Sequence, residues 1–373
     1  MDFALTETQR DLQALARKIL EEQATPERLS ALEKSGENMD RPLWTALADA
    51  GLLGIAVPEA YGGMDLGYES LCLLLEEQGR TQAKLPLLST LVQCALPMSA
   101  FADQTVCEDW LPAIVRGEKL LTAATLEPGH DDYWPRHCEL KNEDGQWQLS
   151  GEKHCVPWLE QADAVLVTAQ CEGAHAIVLV PVTSELNVET QTVTSEEQRS
   201  LIRFDALKVD DAQIIVKGGQ AGEWIEWTEE RRRAALCATA LGLCDKMMRM
   251  SASYTSEREQ FGRAVATFQA VSHRMADAFI DIECLRSVTE QAVSLLSAGQ
   301  PATEAVAIAK IWCGDVCHRI SQAAQHVHGG IGVDRDYPLH RYCLTAREIE
   351  LSSGPSARLL EEVGEQIAIE FRL

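Results

Sequence analysis

The hydrophobic pattern of this 373-residue chain changes its period twice, and that change limits the possible folds more than any other feature. Near the start, Thr6 and Gln9 have the spacing of a helix capping box. Leu12, Leu15 and Ile19 then recur at the intervals that place apolar side chains on one helix face. Further segments repeat this signal, so the chain is predicted to begin with a helical region.

A strand pattern follows the helical region. After an Asp144-Gly145 pair, which is typical of a tight hairpin turn, the period around residues 147–149 becomes two. Residues 164–167 and 177–180 are short apolar runs of the kind that form buried strands. Together these segments predict a central β domain of about a hundred residues.

The last part of the chain returns to helical spacing, which we expect to begin near Thr228. One long apolar stripe ends at Gly329-Gly330, a pair typical of a helix terminus. Its residues are Ile308, Trp312, Val316, Ile320, Ala323 and Val327. Such a stripe is typical of a buried core and also of a subunit interface, and periodicity alone does not choose between them.

The composition favours one multi-lobed subunit. A hydrophobic content of 46% can bury a large core, and no linker rich in proline, glycine or serine separates independent domains. The net charge of −24 argues against a nucleic-acid-binding surface. Any phosphate group would therefore have to bind at a local basic cluster.

Twelve cysteines occur without a Cys-x-x-Cys pair. The first residues, 1–6, lack the basic region and long apolar run of a signal peptide, so we expect reduced thiols in a cytoplasmic protein. Cys317 and His318 lie on an apolar helical pattern, where burial is more common than metal binding. We predict no bound metal and no membrane association.

Separated motifs occur in a fixed order along nearly the whole chain. They are Ala56-Val57-Pro58-Glu59-Ala60-Tyr61-Gly62-Gly63, Arg258-Glu259-Gln260-Phe261-Gly262, and His328-Gly329-Gly330-Ile331-Gly332 followed by Asp336-Tyr337-Pro338. With the helix–strand–helix order, this set resembles the acyl-CoA dehydrogenase family. The resemblance implies an α+β fold: an N-terminal helical domain (1–118), a central β-barrel-like domain (119–222) and a C-terminal four-helix bundle (223–373). It also implies that the bundles assemble a dimer of dimers.

The resemblance further implies FAD as cofactor, with one side of its site near the second motif. Arg258 and Phe261 are similar to the family's Arg-x-x-Phe-Gly element, whose arginine reaches the pyrophosphate of a flavin seated in the neighbouring subunit. Arginine suits this role because its planar fork pairs two phosphate oxygens while staying charged. Gln269 is expected to support the adenine.

The third motif implies the rest of that side. Gly329, Gly330 and Gly332 resemble a turn in which missing side chains let the backbone approach the cofactor and donate N–H groups. A helix cap followed by a plain turn would explain the same glycines, and both roles are compatible. His326 stands where the family usually has glutamine.

The flavin-ring side departs from the family pattern. Leu126 replaces a threonine whose hydroxyl meets the ring, and Asp132 replaces a serine, so its charge is expected to repel anions. Within Cys155-Val156-Pro157-Trp158-Leu159, Pro157 replaces the threonine whose N–H faces the flavin, and proline has no N–H to donate. A repacked loop that still holds flavin is the alternative. Because several contacts change together, we predict that this subunit does not seat its own ring.

The catalytic base also departs from the family pattern. Family chemistry needs a carboxylate that removes the α-proton of an acyl thioester while the flavin takes a hydride from the β-carbon. The usual glutamate position falls on Ser353, and the position used by some relatives falls on Arg232. Neither side chain can act unaided as that base. Glu230 and Glu350 are the nearby fallback carboxylates.

Residues 231–233 form an arginine triplet that we expect at a helix start. Arg233 aligns with a family arginine near the substrate, so the triplet is expected either to attract a CoA phosphate or partner, or to be a solvated cluster. Glu229 and Glu230 would lie in the first turn and favour the helix dipole.

Together, the retained and lost halves predict a non-catalytic subunit of an α2β2 acyl-CoA dehydrogenase. It would share FAD with a homologous partner that carries the catalytic glutamate, and it resembles subunits of bacterial enzymes acting on CoA thioesters of steroid side chains or ring fragments. Three alternatives stay open. They are a homotetramer with its own FAD and an unusual base, a subunit for non-redox thioester chemistry, and a regulatory or structural subunit without cofactor.

Overall fold

The computed structural model describes residues 4–130 and 132–371. Part of the expectation about the N-terminus falls on residues 1–3, which lie outside the described residues. The α-helices are α1 (Glu7–Gln23), α2 (Pro26–Ser35), α3 (Arg41–Asp49), α4 (Gly67–Thr81), α5 (Leu96–Phe101), α6 (Gln104–Val115), α7 (Gly219–Glu257), α8 (Gln269–Ser297), α9 (Thr303–His328), α10 (Leu339–Leu351) and α11 (Ser356–Phe371).

The strands lie mainly between α6 and α7. They are β1 (Leu121–Ala124), β2 (Glu139–Glu143), β3 (Gln146–Pro157), β4 (Ala164–Cys171), β5 (Ala174–Pro181), β6 (Asn187–Thr192), β7 (Gln198–Val209), β8 (Ile214–Gly218), β9 (Glu259–Gln260) and β10 (Arg263–Ala264). The predicted α+β class, with helical segments before and after a central β region in the sequence, is confirmed.

The described chain forms two compact units. The first, here called the bundle unit, contains the residues up to Ser30, Tyr68–Ala83 and the residues from Arg233 onward. The second, here called the sheet unit, contains Ala31–Gly67 and Lys84–Arg232. None of the helices in the described part of the chain is both long and apolar enough to cross a membrane.

In the sheet unit, seven strands follow the order β6-β7-β3-β2-β4-β5-β8, and an eighth, β1, pairs in parallel with β4. The predicted Asp144-Gly145 turn joins β2 to β3, and both residues have positive φ (50° and 90°), as a type I′ hairpin turn requires. The two apolar runs predicted as strands lie within β4 and β5, where all their side chains are buried and alternate ones join one core cluster.

The early motif has a structural role in the sheet unit. A Cβ atom at Gly63 would lie 1.9 Å from the carbonyl oxygen of Val57, so only glycine fits where the chain folds back on itself.

The capping box that begins α1 is confirmed. Thr6 Oγ1 accepts a hydrogen bond from Gln9 N (3.2 Å), and Gln9 Oε1 accepts one from Thr6 N (2.9 Å). The predicted apolar face was wrong in part, because Leu15 is 42% exposed. The buried row is Leu12, Ala16 and Leu20. These residues follow a strict four-residue spacing, with a small side chain in the middle.

In the bundle unit, α4 and α7 cross at close range. A Cβ atom at Gly79 would lie 2.0 Å from Thr239 O, and one at Gly242 would lie 1.8 Å from Glu76 O. Both glycines are therefore needed for backbone-to-backbone contact. Beside this crossing, buried Arg80 pairs with Glu76, Glu77 and Asp245.

The expected start of the last helical region was wrong, because α7 begins at Gly219 rather than near Thr228. Ala221, Trp224, Ile225 and Thr228 are all buried at helical spacing, so the amphipathic pattern begins earlier than we predicted.

The apolar stripe of α9 is a core face over most of its length. Val316, Ile320, Ala323 and Val327 are buried, which confirms the core interpretation for them. Ile308 and Trp312 are only half-buried. The buried row at that end runs through Val306, Lys310 and Cys313 instead.

Candidate functional site

In the bundle unit, Arg258 follows directly after α7, and its side chain is exposed. Among residues 4–130 and 132–371, its guanidinium makes no hydrogen bond or ion pair. Strands β9 and β10 then form a short hairpin whose turn residues, Phe261 and Gly262, have φ of 52° and 76°. The Phe261 ring is 93% exposed. Gln269 begins α8, and its side-chain amide lies 3.4 Å from His273 Nε2.

The glycine turn follows α9. Gly329 has φ 64° and ψ −138°, a conformation open to glycine alone, and its N–H bonds back to carbonyls of the last turn of α9. Gly329 and Gly330 are exposed, and a Cβ at either would meet no atom within 4 Å. Gly332 differs, because its Cβ would lie 2.8 Å from Gln325 O. Gly332 is therefore fixed by packing inside the chain, and His326 is an exposed neighbour on α9.

No role was predicted from the sequence for His328, the first residue of the third motif. His328 is buried and is stacked on Tyr254, with ring centroids 4.5 Å apart. Its Nδ1 lies 2.8 Å from Ala324 O, and its Nε2 lies 3.2 Å from the Tyr337 hydroxyl. Burial lowers the pKa of His328, and it raises that of Tyr337.

Ser353, at the expected base position, lies just after α10 with φ 57°. Its Oγ is buried and has no hydrogen-bond partner within the described residues. Its carbonyl accepts from Arg233 Nε (3.1 Å), and the fully buried Lys310 ammonium reaches Ile349 O (3.0 Å) and Gly354 O (3.5 Å). Two cations therefore fix the backbone of this turn.

The fallback carboxylates occupy different surroundings. Glu350 Oε1 forms an ion pair with Arg347 at 2.6 Å, and its buried Oε2 lies 3.4 Å from His318 Nδ1 without a hydrogen bond to the described residues. Glu230 is half-buried on α7. Arg232, at the second base position, pairs with Glu229 at 3.1 Å.

The expected helix-start arginine cluster is wrong, because residues 231–233 lie within α7 rather than at its start. Arg231 and Arg233 are buried, so a solvated cluster is excluded. Arg231 stacks on Trp227 at 3.5 Å, and Arg233 binds Ser353 and Glu362. Since α7 begins ten residues earlier, the acids at 229 and 230 do not lie in its first turn.

In the sheet unit, the loop after β1 is fastened by a buried ion pair. The Lys153 ammonium lies 2.9 Å from Glu127 Oε1 and 3.1 Å from Thr168 Oγ1. The Glu127 carboxylate also accepts three backbone N–H bonds, from residues 136, 137 and 138. Burial raises the pKa of Glu127, but Lys153 and the N–H donors outweigh burial and hold that pKa below its ordinary value.

Asp132 has a different setting from the one expected. Its carboxylate accepts from Trp134 N and pairs with the Arg136 guanidinium. Because the ion pair balances its charge, the expected repulsion of anions is weakened.

The segment around Pro157 is bonded internally as well. The Pro157 carbonyl accepts from Thr122 Oγ1 at 2.6 Å, and Cys155 N donates to Gln191 Oε1 at 2.9 Å. Cys155 has φ 51° and lies in a bulge of β3 against β7. His154 N donates to Leu126 O, which joins the two loops expected at the flavin ring.

The sheet unit also contains a small, partly open cleft. Its wall is mainly apolar, with Leu166, Ile177 and Trp224, and Thr228 Oγ1 is buried there without a hydrogen-bond partner among the described residues. Within the described ranges, no three side chains of metal-ligating type come together to hold an ion.

The predicted site residues thus divide between the units. The bundle unit holds Arg258, Phe261, Gln269, His326, the three glycines, Ser353 and Glu350, and the sheet unit holds Leu126, Asp132, Pro157, Glu230 and Arg232. Sequence reasoning missed Lys153, Lys310 and His328. The only available signal was a histidine directly before the glycine turn.

Comparison with known proteins gives matches at both ends of the chain. Residues 6–118 match the family model "Acyl-CoA dehydrogenase, N-terminal domain", and residues 222–368 match "Acyl-CoA dehydrogenase, C-terminal domain". The sequence is 32% identical over 377 residues to acyl-CoA dehydrogenase FadE27 of Mycobacterium tuberculosis, covering 99% of each chain.

Two solved structures are similar over nearly the whole chain. One is the ChsE4-ChsE5 complex from Mycobacterium tuberculosis, with a TM-score of 0.92, 32% identity and 99% of each chain covered. The other is a variant of the Tcur3481-Tcur3483 steroid ACAD, with a TM-score of 0.91 and 38% identity, covering 98% of this chain and 99% of that chain.

Proposed function

Because the chain belongs to the acyl-CoA dehydrogenase family, we propose that it completes the FAD site of a homologous catalytic subunit. The two chains form an α2β2 heterotetramer that introduces a double bond between the α- and β-carbons of an acyl-CoA. The partner subunit supplies the catalytic glutamate.

The observation that carries this proposal is the residue at the expected base position. Ser353 offers a buried hydroxyl, and nearby Glu350 is engaged with Arg347 and His318. A hydroxyl without a base cannot remove a proton from a weak carbon acid. Arg232 stays protonated. These residues support a chain that contributes to the site without carrying its base.

The residues of the bundle unit fit FAD on the pyrophosphate side. Arg258 is exposed, and its guanidinium has no partner in the described part of the chain, so both arms of the fork are available to phosphate oxygens. Open space surrounds the Cβ positions of Gly329 and Gly330, so a ligand can approach the backbone there. Bound FAD supplies a hydride acceptor, and this chain's residues bind and orient it.

The similar proteins support the partner and the substrate class. ChsE4-ChsE5 is described as a complex, and Tcur3481-Tcur3483 as a steroid ACAD, and the chain matches both over nearly its full length. We therefore propose a homologous partner and a steroid-derived acyl-CoA. We also propose a cytoplasmic location, in which the twelve cysteines stay reduced.

The test compares the chain purified alone with the chain co-expressed with its homologous partner, using visible flavin absorbance and solution mass. We expect a colourless chain alone and a yellow heterotetramer that oxidises steroid-CoA esters faster than straight-chain acyl-CoA. A yellow, active homotetramer of this chain alone would refute the proposal in favour of an unusual base. Equal flavin content of the partner with and without this chain would favour a structural role.

A further inference from the structure

His328 holds a fixed place directly before the glycine turn. It is the last residue of α9, only 3% of its surface is exposed, and its ring lies nearly parallel to that of Tyr254, with 21° between the planes. Buried polar side chains in proteins are nearly always hydrogen-bonded, and both ring nitrogens of His328 are.

The two hydrogen bonds define the tautomer. The Ala324 carbonyl oxygen can only accept, so Nδ1 carries the hydrogen in the 2.8 Å contact. A neutral ring then has a lone pair on Nε2, which accepts from the Tyr337 hydroxyl at 3.2 Å. Burial favours the neutral ring because the charged form would lose its hydration.

The Tyr337 contact closes a loop that contains the glycine turn. Residues 328–337 begin and end at this hydrogen bond, and the backbone bond from Asp334 N to Ile331 O shortens the path between them. At Gly332, an added Cβ would lie 3.1 Å from His328 Cβ, so the turn packs directly on this residue. The exposed Gly329 and Gly330 are therefore held in place by the His328–Tyr337 hydrogen bond at the ends of the loop and by the packing of Gly332 on His328.

We propose that His328, in its neutral Nδ1–H form and bonded to Tyr337, is the positioning residue that fixes the Gly329–Gly330 backbone for the phosphate-bearing part of FAD. This inference rests on the proposed function. A turn without side chains binds a ligand strongly only when its conformation is set in advance, because otherwise binding must also order the turn.

The test uses Tyr337→Phe and His328→Phe in the heterotetramer. Tyr337→Phe keeps the ring and removes only the hydroxyl, whereas His328→Phe keeps a stacking ring and removes both hydrogen bonds. We expect the FAD dissociation constant to rise about fivefold for Tyr337→Phe and about tenfold or more for His328→Phe. Flavin fluorescence during dilution measures this constant independently of turnover.

The matched control is Tyr342→Phe, which removes the hydroxyl of another tyrosine of the bundle unit, one that is buried and donates to Arg80 O at 3.0 Å. It should lower the melting temperature of the flavin-free complex about as much as Tyr337→Phe does, without changing FAD affinity. If Tyr337→Phe and Tyr342→Phe change FAD affinity equally, the inference is overturned.

A second measurement does not depend on FAD. In the chain labelled with ¹⁵N-histidine, His328 should show a protonated Nδ1 and an unprotonated Nε2 at neutral pH, and Tyr337→Phe should shift the Nε2 resonance. The opposite tautomer would overturn the inference. If Arg258→Ala releases FAD while His328→Phe retains it fully, only this inference fails; if neither affects FAD, the proposed function fails too.

Discussion

The loops expected at the flavin ring differ from the face expected at the pyrophosphate in how their polar groups are bonded. In the sheet unit, the Glu127 carboxylate, the Pro157 carbonyl and the Asp132 carboxylate all have partners inside the chain. In the bundle unit, Arg258 and the Gly329–Gly330 backbone are exposed to solvent. We call the first the saturated region, because these three groups bond within the chain, and the second the open region, because it is exposed to solvent.

This difference separates a stabilising role from a binding role. Polar groups that are bonded within the chain contribute to its folding, and recruiting them for a ligand would leave buried partners unsatisfied. A solvated arginine has little to lose when it binds a phosphate. The comparison therefore favours FAD contacts from the bundle unit and a self-sufficient loop structure in the sheet unit.

The largest effect is expected where the saturated region depends on a fully buried charge. Lys153→Met leaves the buried Glu127 carboxylate without its ammonium partner, although the three N–H donors remain. Breaking a buried pair in this way costs about 3–5 kcal/mol. Urea unfolding followed by the fluorescence of tryptophans, several of which lie in the sheet unit, measures the loss.

The control is Arg203→Met, which breaks exposed pairs with Glu152 and Glu189 in the same unit. Its cost should stay within about 1 kcal/mol. Equal losses in both variants would show that the loops do not depend on the Lys153–Glu127 pair.

Sequence patterns predicted the fold well because periodicity reports which faces are buried. The Asp144-Gly145 turn, the capping box at Thr6 and the strands β4 and β5 all followed from local rules. The errors came where packing overrode them. Leu15 is exposed because the buried row of α1 runs through Leu12, Ala16 and Leu20 instead. Helix α7 begins earlier than predicted, and Trp224 and Ile225 in its first part are buried.

The site was less predictable than the fold. Arg258 is exposed, whereas Arg231 and Arg233 are buried. This difference depends on tertiary packing, which the position of an arginine in the sequence does not reveal. Lys153 lies in a strand among polar neighbours, so nothing local indicates its buried pairing with Glu127, 26 residues away. The roles expected of Gln269 and His326 stay predictions.

In the open region, Arg258→Ala should weaken FAD binding without changing the stability of the protein. Removing a charged hydrogen-bond donor costs about 1.5–3 kcal/mol, so the FAD dissociation constant of the heterotetramer should rise about 10- to 100-fold. The melting temperature of the flavin-free complex should not change, because the guanidinium is solvated. Flavin retention on a desalting column and a fluorescence titration measure the loss.

Arg10→Ala, an exposed arginine on α1 in the same unit, is the matched control and should leave FAD affinity intact. If Arg258→Ala bound FAD as tightly as the wild type, Arg258 would not contact FAD, and the binding role of the open region would be contradicted.

The pH dependence of Glu127 gives a smaller effect. Because the folded state holds its pKa below the ordinary value, the unfolded chain takes up the proton first, and this contribution to stability is present above the unfolded value of about 4.3. It is lost as the pH falls through the folded pKa. Glu127→Gln should therefore cost about 1–3 kcal/mol at neutral pH, and less as the pH falls below about 4.

Denaturant midpoints of the wild type and of Glu127→Gln, measured at several pH values, give the difference in stability between them, here called the gap. Glu160→Gln, at an exposed position in the same unit, should show no gap at any pH. A Glu127→Gln gap that widens on acidification would mean that the folded pKa is raised instead.

The smallest expected effect is that of restoring a carboxylate. Ser353→Glu should give no acyl-CoA oxidation when the chain is assayed alone with added FAD, because Pro157 still provides no N–H and the surrounding loop groups remain bonded to the chain itself. In the bundle unit, Arg233 binds the carbonyl of the same residue, so a new carboxylate there would also meet a cation that weakens it as a base. Circular dichroism of Ser353→Glu checks folding. Turnover by this variant alone would show that the sheet-unit loops can still seat a flavin ring, and the contrast between the saturated and the open region would then no longer separate the two roles.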